Sequence, residues 1–570
     1  PDVLGYIFEK YINQKQMGAY YTKEDITEYI AKNCIIPFIL DRVETALKGN
    51  PESFSNLFQP LASEPDRYIY DPVKHGVTLP LPPEIEEGVD TGKPNLLERR
   101  AVWNQPAPAE YALPTEIWRE VVARHQRHAE LCSRLTANPL PITTNDLITL
   151  NLDIRQFAQD CIENAATPDV LWGFWRAIEE ITVLDPTCGS GAFLFAAVNI
   201  LEPLYEACLD RMKAFMLEWS QASKVPHPKY YKDFAEVIAR VEKHPNEKYF
   251  IFKSIIIHNL YGVDIMDEAV EICKLRLFLK LAAQIEPDYN QHNLGIEPLP
   301  DIDFNIRAGN TLVGFATEKQ AEDVIQQDLL GYKTVWPEVK REAQEISELF
   351  NLFRRQQTEI GGAVSAADKK RLRDKLAPLE ARLHNYLAST YGINDQNGIK
   401  KWIQSHNPFH WFIEFYEIMD KGGFNVIIGN PPYVELSDLK GQYSIRNFRL
   451  LATGNLYALC IERFSMFIRV AGRCGVIVPI SFVSTPRMFP LMQFATNTFS
   501  PLYLSHFAVR PGKLFLGVDM NLTILLGQAT LANHEQEIWS TRYNRWQEKS
   551  RCVLFETLTY AKTALCADLK

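Results

Sequence analysis

The sequence predicts an α/β fold: a Rossmann-like, doubly wound sheet with a late antiparallel strand pair and with helical and irregular insertions. Short apolar runs that end at polar or glycine residues alternate with stretches in which apolar residues recur at three- and four-residue spacing, as strands and helices do. Two apolar runs near the C-terminal end bracket a short loop and predict the strand pair. The predicted strands cover residues 181–185, 259–265, 303–310, 424–429, 472–479, 503–509 and 521–526.

The composition is that of a globular protein with several domains. The chain has 570 residues, of which 46% are hydrophobic and 23% are charged. No apolar run free of charges reaches the length of a membrane span, and the N-terminus lacks a signal-peptide pattern, so we expect a cytoplasmic protein with no membrane partner. Because the sequence begins at Pro1 rather than Met, we expect it to be part of a longer chain.

Net charge and cysteine usage limit the classes of ligand. The formal charge of -10 argues against a nucleic-acid binder that relies on global charge, but it leaves room for a local basic groove. The 10 cysteines are scattered without a Cys-x-x-Cys pair, and several lie inside apolar runs, so we expect reduced core thiols. Neither a zinc site nor a disulfide framework is expected, and no metal ligand is predicted.

Two insertions divide the predicted core. Prolines among breaker and charged residues predict an irregular excursion between residues 50 and 115, after which helical periodicity resumes. Strongly charged helical patterns on both sides of Gly361–Ser365 predict a helical hairpin. The predicted segments are an N-terminal helical part (1–49), an insertion that is irregular and then helical (50–150), the first half of the core (151–315), a hairpin insertion (316–400), the second half of the core (401–535) and the start of a truncated C-terminal region (536–570).

The corner Asn430-Pro431-Pro432-Tyr433 follows the apolar run Phe424–Gly429, which suits a strand buried on both faces. The two prolines cannot extend a strand, so the corner is stiff. The Asn430 side-chain carbonyl and the backbone carbonyl of Pro431 could together accept two hydrogen bonds from one amino group, and Tyr433 offers a flat face for stacking. The alternative interpretation is an ordinary Asn-Pro-Pro turn.

A second candidate lies near the N-terminus, where Gly18, Tyr20, Tyr21 and Thr22 precede an apolar-periodic helix. Thr22 is predicted to be the N-cap, and Asp25 occupies the capping-box position. A helix start of this kind could receive a carboxylate. It could equally be a capped helix and nothing more.

Two acidic residues end predicted strands in the first half of the core. Asp185 is followed by Pro186, Thr187, Cys188 and then by Gly189 and Gly191, which permit close approach of a ligand to backbone amides. The turn lacks the Lys-Ser or Lys-Thr of a P-loop and does not match Gly-x-Gly-x-x-Gly. Asp264 ends the next strand, where a carboxylate can hold ribose hydroxyls while Ile265 packs on an adenine face. A surface aspartate at a strand end is the alternative interpretation.

These motifs occur in the order Asp185-Pro-Thr-Cys-Gly-Ser-Gly, Gly262-Val-Asp264 and Asn430-Pro-Pro-Tyr433. With them the chain resembles S-adenosylmethionine-dependent DNA adenine-N6 methyltransferases of the gamma motif order, in particular the large methylases of type II restriction-modification and phage-defence (BREX- or DISARM-like) systems. The resemblance covers residues 1–49 and 181 to about 535, interrupted by the insertions. Lys23 replaces a usual proline, and Thr187 replaces a commoner alanine.

The resemblance implies a role for each matched residue. Gly18, Tyr20, Tyr21 and Thr22 would bind the methionine end of S-adenosylmethionine, which favours the ligand-binding interpretation of that helix start. The other cofactor residues implied are Asp185, Pro186, Cys188, Gly189 and Gly191 at the turn, Asp264 and Ile265 at the ribose and adenine, and Asn310 beside the adenine. Phe515 would stack on a flipped base.

The implied reaction is methyl transfer to the N6 amino group of an adenine flipped out of double-stranded DNA, with Asn430 and Pro431 holding the amino group, Pro432 stiffening the corner and Tyr433 stacking on the base. Candidate phosphate contacts are Arg446, Arg449, Arg510 and Lys513. Other subunits of a defence system are possible partners. Two alternatives are a protein glutamine-N5 methyltransferase and an inactive cofactor-binding subunit that recognises DNA.

Overall fold

The computed structural model describes residue 5 and residues 22–49, 56–137, 142–221, 225–287, 289–290, 299–327, 332–358, 366–439, 441–515, 518–531 and 535–563. Within these residues, the main feature is one nine-stranded sheet with the order β3-β2-β1-β4-β5-β7-β6-β8-β9. The strands are β1 Val183–Asp185, β2 Leu260–Asp264, β3 Ile306–Ala308, β4 Phe424–Gly429, β5 Ile468–Pro479, β6 Phe499–Phe507, β7 Leu522–Ala529, β8 Ile538–Asn544 and β9 Tyr560–Thr563.

The first five strands are parallel, and the sheet changes direction at β7. The register of β1 is Val183 opposite Leu260 of β2 on one side and opposite Val426 of β4 on the other. β7 then runs antiparallel to both β5 and β6. This arrangement confirms the predicted α/β doubly wound sheet with its late antiparallel pair. All five parallel strands end at the same edge, where ligands of such sheets bind.

Helices cover both faces of the sheet, and their apolar residues form its two principal cores. The helices of eight or more residues are Glu24–Ala46, Trp118–Leu135, Ile154–Glu163, Pro168–Glu180, Ala192–Ser220, Pro228–Val241, Glu247–Ser254, Asp267–Ala282, Glu318–Ile325, Tyr332–Thr358, Ala366–Thr390, Gln396–His406, Leu456–Phe464 and Phe489–Thr498. Shorter helices are Gln59–Ser63, Pro65–Tyr68, Asp71–Lys74, Pro83–Glu86, Leu96–Arg99, Thr144–Thr149, Trp411–Glu414, Tyr416–Asp420 and Ser481–Ser484.

The N-terminal helix Glu24–Ala46 lies against β5 and runs opposite to it. Cys34 faces Gly475, where an added Cβ would lie 2.6 Å from the Cys34 sulfur. Asp41, later in the helix, accepts a hydrogen bond from Arg473, earlier in the strand, at 2.6 Å. The start of this helix is therefore directed toward the edge at which β4 and β5 end.

The predicted cap of that helix is wrong in detail. Lys23 is the N-cap and has no side-chain capping bond, while Asp25 accepts a hydrogen bond from the neighbouring Ile26 amide instead of closing a capping box. Arg551 forms an ion pair with Asp25 at 2.7 Å, which draws the carboxylate away from the backbone of residue 22. Thr22 lies one residue before the cap, next to the site described below.

The C-terminal residues differ from the predicted segment boundaries. β8 pairs in parallel with β6, and β9 pairs with β8, so residues after 535 extend the main sheet instead of beginning a separate region. The Tyr560 hydroxyl approaches that of Tyr29 at 2.6 Å, which ties β9 to the N-terminal helix. Sequence patterns missed these strands because β8 is polar at most of its exposed positions.

The two predicted insertions have the expected character. Residues 56–117 contain single-turn helices joined by turns, and the helix Trp118–Leu135 follows. Tyr332–Thr358 and Ala366–Thr390 are the two helices of a hairpin with its own apolar core, while the predicted turn at Gly361–Ser365 lies outside the described residues. Among the described helices, Ala192–Ser220 alone is long and apolar enough to cross a membrane, and 72% of its apolar window is buried inside the protein.

Candidate active site

Strand β4 delivers Asn430 to the carboxyl edge of the sheet. All six residues of Phe424–Gly429 are buried, as the apolar run predicts. At Gly429 an added Cβ would lie 2.8 Å from the Asp185 carboxylate, so the absence of a side chain lets β4 and the end of β1 approach closely. Asn430 thus begins its loop directly beside the turn that follows β1.

The two polar atoms of the Asn430 side chain differ in their hydrogen bonding. Its amide nitrogen donates to the Thr22 hydroxyl at 3.2 Å. Its carbonyl oxygen Oδ1 is buried and has no hydrogen-bond partner among the described residues. A buried carbonyl without a partner costs about 1–3 kcal/mol. The site therefore presents an acceptor to a donor group from outside the chain.

Tyr433 is held by its hydroxyl. The hydroxyl donates to the Ile477 carbonyl of β5 at 2.9 Å, and the ring meets Tyr457 edge-on with centroids 6.5 Å apart. The ring remains partly exposed. With Pro431 and Pro432 restricting the backbone between them, Asn430 and Tyr433 form a rigid pair of one acceptor and one aromatic face.

The turn after β1 has the backbone conformation that its glycines permit. Gly189 and Gly191 have φ values of 50° and 88°, in the left-handed region. The buried Asp185 carboxylate accepts a hydrogen bond from the Thr187 amide at 3.1 Å. Cys188 contributes its backbone to the turn, where its carbonyl accepts from the Gly191 amide at 2.8 Å. A hydrogen bond with Cys273 and burial raise the pKa of the Cys188 thiol, which stays protonated and packed.

Asp264 links the turn to the end of β2. One carboxylate oxygen accepts from the Gly189 amide at 2.9 Å and the other from the Met266 amide at 3.0 Å. Burial raises the pKa of Asp264 above its usual 3.8, and these two backbone donors oppose that shift. The adjacent Ile265 is 39% exposed and so has an apolar face accessible to a ligand. The pair fits a nucleoside, with hydroxyls on Asp264 and a base on Ile265.

Asn310 lies after β3 on the same edge. Its Oδ1 accepts from the Leu312 amide at 3.0 Å, while its buried Nδ2 lies near the Tyr443 hydroxyl and opposes the rise that burial causes in the pKa of that phenol. The neighbouring Thr311 hydroxyl donates to the carbonyl of Pro186, which attaches this loop to the turn after β1. A buried amide donor at this position could serve an acceptor nitrogen of an adenine ring.

Arg276 is a positioning residue that sequence patterns did not indicate. From the helix Asp267–Ala282 its guanidinium donates to the Ser190 carbonyl at 2.6 Å and to the Ser190 hydroxyl at 3.1 Å. It also lies over the Phe195 ring, 4.4 Å from the centroid. Because Ser190 separates Gly189 from Gly191, the hydrogen bonds from the buried Arg276 fix the position of the turn. The neighbouring residues Leu275 and Leu277 do not indicate from sequence that position 276 holds a buried cation.

The predicted base-stacking residue is wrong. Phe515 is 1% exposed and belongs to the apolar core that includes Trp546, Leu554 and Phe555. The residues after β7, which fold back as β8 and β9, supply this core and enclose the ring. A phenylalanine in such a position packs the protein interior and offers no face to a base.

The predicted phosphate contacts are dispersed. Arg446 is exposed, donates to the Thr390 carbonyl at 3.1 Å and lies over the Tyr391 ring. Arg449 and Arg510 are exposed, and Lys513 is engaged by the Asp519 carboxylate. Gly18, Tyr20 and Tyr21 lie outside the described residues.

The strand order is that of an α/β doubly wound sheet, and the candidate site residues lie at its carboxyl edge. More particularly, residues 258–508 match the Eco57I restriction-modification methylase family, and residues 161–327 match the DNA-methyltransferase domain of the MmeI family. These two matches confirm the resemblance to restriction-modification methylases inferred from the motifs.

The chain is also similar to individual proteins and solved structures. A Methanocaldococcus jannaschii protein named "Putative type II restriction enzyme and methyltransferase" is 25% identical over 92% of this chain, which spans 37% of that protein's length. Among solved structures, the M protein of the type I restriction enzyme EcoKI is 12% identical with a TM-score of 0.28, over 90% of this chain and 75% of that chain. The type IIL enzyme MmeI in complex with DNA is 12% identical with a TM-score of 0.31, over 95% and 60%.

Proposed function

We propose that this chain transfers a methyl group from S-adenosylmethionine to the N6 amino group of an adenine in double-stranded DNA, as the modification activity of a restriction-modification or phage-defence system. The observation that carries the proposal is the buried Oδ1 of Asn430, which has no partner among the described residues and lies beside the turn after β1. An exocyclic amino group is the donor that such an acceptor fits.

The residues present fit the cofactor. Asp264 offers a carboxylate to ribose hydroxyls, Ile265 an exposed apolar face to the adenine ring, and Asn310 a buried amide donor to a ring nitrogen. Gly189 and Gly191 keep side chains out of the turn, and Thr22 lies at the opposite side, next to Asn430. S-adenosylmethionine would supply an electrophilic methyl group on its sulfonium.

The chemistry of the acceptor follows from what Asn430 and its loop do. The Asn430 oxygen and the Pro431 carbonyl accept the two amino hydrogens, which raises electron density on the nitrogen and orients its lone pair for in-line displacement. Thr22 prevents the amide from rotating away from this orientation. Tyr433 stacks on the base, which must leave the duplex for its amino group to be reached, at a cost of a few kcal/mol.

DNA binding by this chain requires a local surface, since the formal charge is -10. Exposed Arg446, Arg449 and Arg510 supply candidate phosphate contacts. Each phosphate contact steepens the salt dependence of binding by about one unit of slope on a logarithmic plot. Nuclease activity and partner subunits belong to the whole proteins to which this chain is similar, and the chain spans only 37% of the curated relative.

The test is transfer of labelled methyl from S-adenosylmethionine to duplex DNA, compared between the parent chain, Asn430→Ala and Asn430→Asp. We expect Asn430→Ala to lose on the order of 10²- to 10³-fold in turnover with cofactor affinity unchanged, because only the acceptor side loses a contact. Asn430→Asp keeps an acceptor oxygen but loses the donor to Thr22, so it should retain more activity. Asn497→Ala, at a surface amide that accepts from Gln536, is the matched control.

Three outcomes would contradict the proposal. Label on a protein glutamine but never on DNA would make the chain a glutamine-N5 methyltransferase. Label on cytosine would leave the fold but overturn the adenine assignment. Cofactor binding and DNA binding without any transfer, even with adenine-containing duplex of random sequence, would make the chain an inactive recognition subunit.

A further inference from the structure

Three side chains with metal-binding atoms meet in the first insertion, on the helix Trp118–Leu135 and the short helix Pro65–Tyr68. His128 and Cys132 are four residues apart on the first helix and therefore share a face. Asp66 approaches them from the second helix. One ligand atom from each residue lies within 4.8 Å of the other two.

We propose that Asp66, His128 and Cys132 bind a divalent transition metal, with Zn²⁺ as the ion of choice and water at the fourth position. Oxygen, imidazole nitrogen and thiolate sulfur are all donors that Zn²⁺ accepts, and the sulfur selects against Mg²⁺ and Ca²⁺. None of the candidate methyltransferase residues lies on these two helices or belongs to the proposed metal site.

The spacing of the three atoms fits a tetrahedral site. Ligands at about 2.0–2.3 Å from Zn²⁺ lie roughly 3.3–3.8 Å from one another. The Cys132 sulfur lies 3.5 Å from His128 Nε2 and 3.8 Å from Asp66 Oδ1. His128 Nε2 and Asp66 Oδ1 are 2.7 Å apart, so this pair would separate by about 0.6 Å around the ion.

Exposure and charge allow that adjustment. The Asp66 side chain is 66% exposed and can rotate, while the His128 side chain is 17% exposed and fixes the site's orientation. The nearby Lys74 amino group is engaged by the Asp66 backbone carbonyl at 2.8 Å and by Asp71 at 2.8 Å. Burial and the Asp66 carboxylate raise the pKa of the Cys132 thiol, and a bound dication acts in the opposite direction by favouring the thiolate.

A metal at this site would connect two parts of the insertion. The segment around Asp66 consists of single-turn helices, which are not stable in isolation. Arg67 already forms an ion pair with Asp160 on one side of this segment. A metal bridge from Asp66 to the helix Trp118–Leu135 would fix its other side. Spacing rules missed the cluster because its ligands come from distant segments.

The experiment is a cobalt and zinc titration of the full chain after removal of metals with a chelator and dialysis. Co²⁺ is the probe, since thiolate ligation produces a charge-transfer band in the near ultraviolet. We expect one equivalent of Co²⁺ to give the band and one equivalent of Zn²⁺ to abolish it. Cys132→Ser should remove the band, and His128→Asn should weaken Co²⁺ binding at least tenfold. Cys552→Ser, at the exposed cysteine outside the cluster, should leave both unchanged.

Two results would overturn the proposal: no band and no bound metal in the parent chain, or a band that persists in Cys132→Ser. Circular dichroism and thermal melting of each variant show that it is folded, because both substituted side chains are partly exposed and their loss leaves the core intact. As a second readout, Zn²⁺ at a hundredfold excess over its dissociation constant should raise the melting temperature of the parent chain by roughly 2 °C and that of Cys132→Ser by less.

Discussion

Replacing Gly191 with alanine should disrupt the turn that receives the cofactor. Gly191 has a φ of 88°, and an added Cβ would lie 2.6 Å from the Cys273 sulfur. A left-handed conformation costs a residue with a Cβ about 1–2 kcal/mol. Overpacking of a buried contact costs about 1–3 kcal/mol more. We therefore expect Gly191→Ala to lower the free energy of unfolding by about 2–5 kcal/mol.

Gly173→Ala is the matched control. Gly173 lies inside the helix Pro168–Glu180, and an added Cβ would have its nearest neighbour, Val43, at 3.7 Å, an ordinary contact. Alanine in a helix interior is favoured over glycine by about 1 kcal/mol, so this variant should be unchanged or slightly more stable. Gly191→Ala is thus expected to lower the free energy of unfolding, and Gly173→Ala to leave it unchanged or raise it slightly.

The assay combines urea denaturation with equilibrium binding of labelled S-adenosylmethionine. Besides its lower stability, Gly191→Ala should bind the cofactor at least tenfold more weakly, whereas Gly173→Ala should bind it normally. Cys273→Ala in the Gly191→Ala background should recover the steric part of the loss but leave the part due to φ, which a double-mutant cycle separates. Equal stability and equal affinity of the two glycine variants would refute the reasoning.

Three further predictions concern the site and its support. Thr22→Val removes the acceptor that orients Asn430, so methyl transfer should fall about tenfold or more, in turnover rather than in cofactor affinity. Burial raises the pKa of Asp264, so the carboxylate that would accept ribose hydroxyls is lost at a higher pH than usual; cofactor affinity should weaken as the pH falls, starting above the range in which an ordinary aspartate titrates, and Asp264→Asn should abolish this dependence. Arg307→Met removes the cation that pairs with the buried Glu414 and should cost about 3–5 kcal/mol in the free energy of unfolding, measured by urea denaturation.

Controls and contrary results differ for the three. Thr45→Val, at an exposed helical threonine, should leave turnover unchanged, and an equal effect of both threonine changes would reject the positioning role. A cofactor affinity whose pH dependence is the same in the parent chain and in Asp264→Asn would reject the role of Asp264. Lys232→Met breaks a pair whose side chains are 78% and 67% exposed, so it should cost under about 0.5 kcal/mol.

The Arg307→Met variant also has a pH signature. Burial raises the pKa of Glu414 well above its usual range. In the variant, the folded state therefore binds a proton at a pH where the unfolded chain does not. Stability from such a group is present at low pH and is lost as the pH rises toward the folded pKa, so the deficit should grow as the pH rises above the usual range of a glutamate.

The sequence predicted the parts of the site that short local patterns encode. In each case an apolar strand pattern is followed directly by polar residues or glycines. These are the buried run before Asn430, the acidic end of β2 and the glycines of the turn after β1, and all three occur where predicted. Patterns failed where a side chain's surroundings come from remote segments. Phe515 was predicted to be an exposed aromatic of a loop, but residues that follow β7 in the chain bury it. Arg276 lies among leucines in the sequence, and its role depends on Ser190, a distant residue.

The order of the strands explains why remote segments can share one site. Because β4 pairs directly with β1, the loop that begins at Asn430 and the turn after Asp185 leave neighbouring strands at the same edge. The N-terminal helix runs opposite to β5, so its first residues return to that edge and bring Thr22 to Asn430. Three stretches that are far apart in sequence thus meet without a long connecting loop entering the site.

The hairpin insertion leaves the position of the residues at this edge unchanged. The chain leaves the sheet after β3 and returns beside its point of departure, because the Asn310 amide donates to the Asn407 carbonyl at 2.7 Å and the Phe409 amide donates to the Val313 carbonyl at 2.8 Å. The backbone of Asn310 is therefore held by the returning strand segment and not by the hairpin itself. An excursion closed at its base in this way can lengthen or change without moving Asn310, which we propose contacts the cofactor.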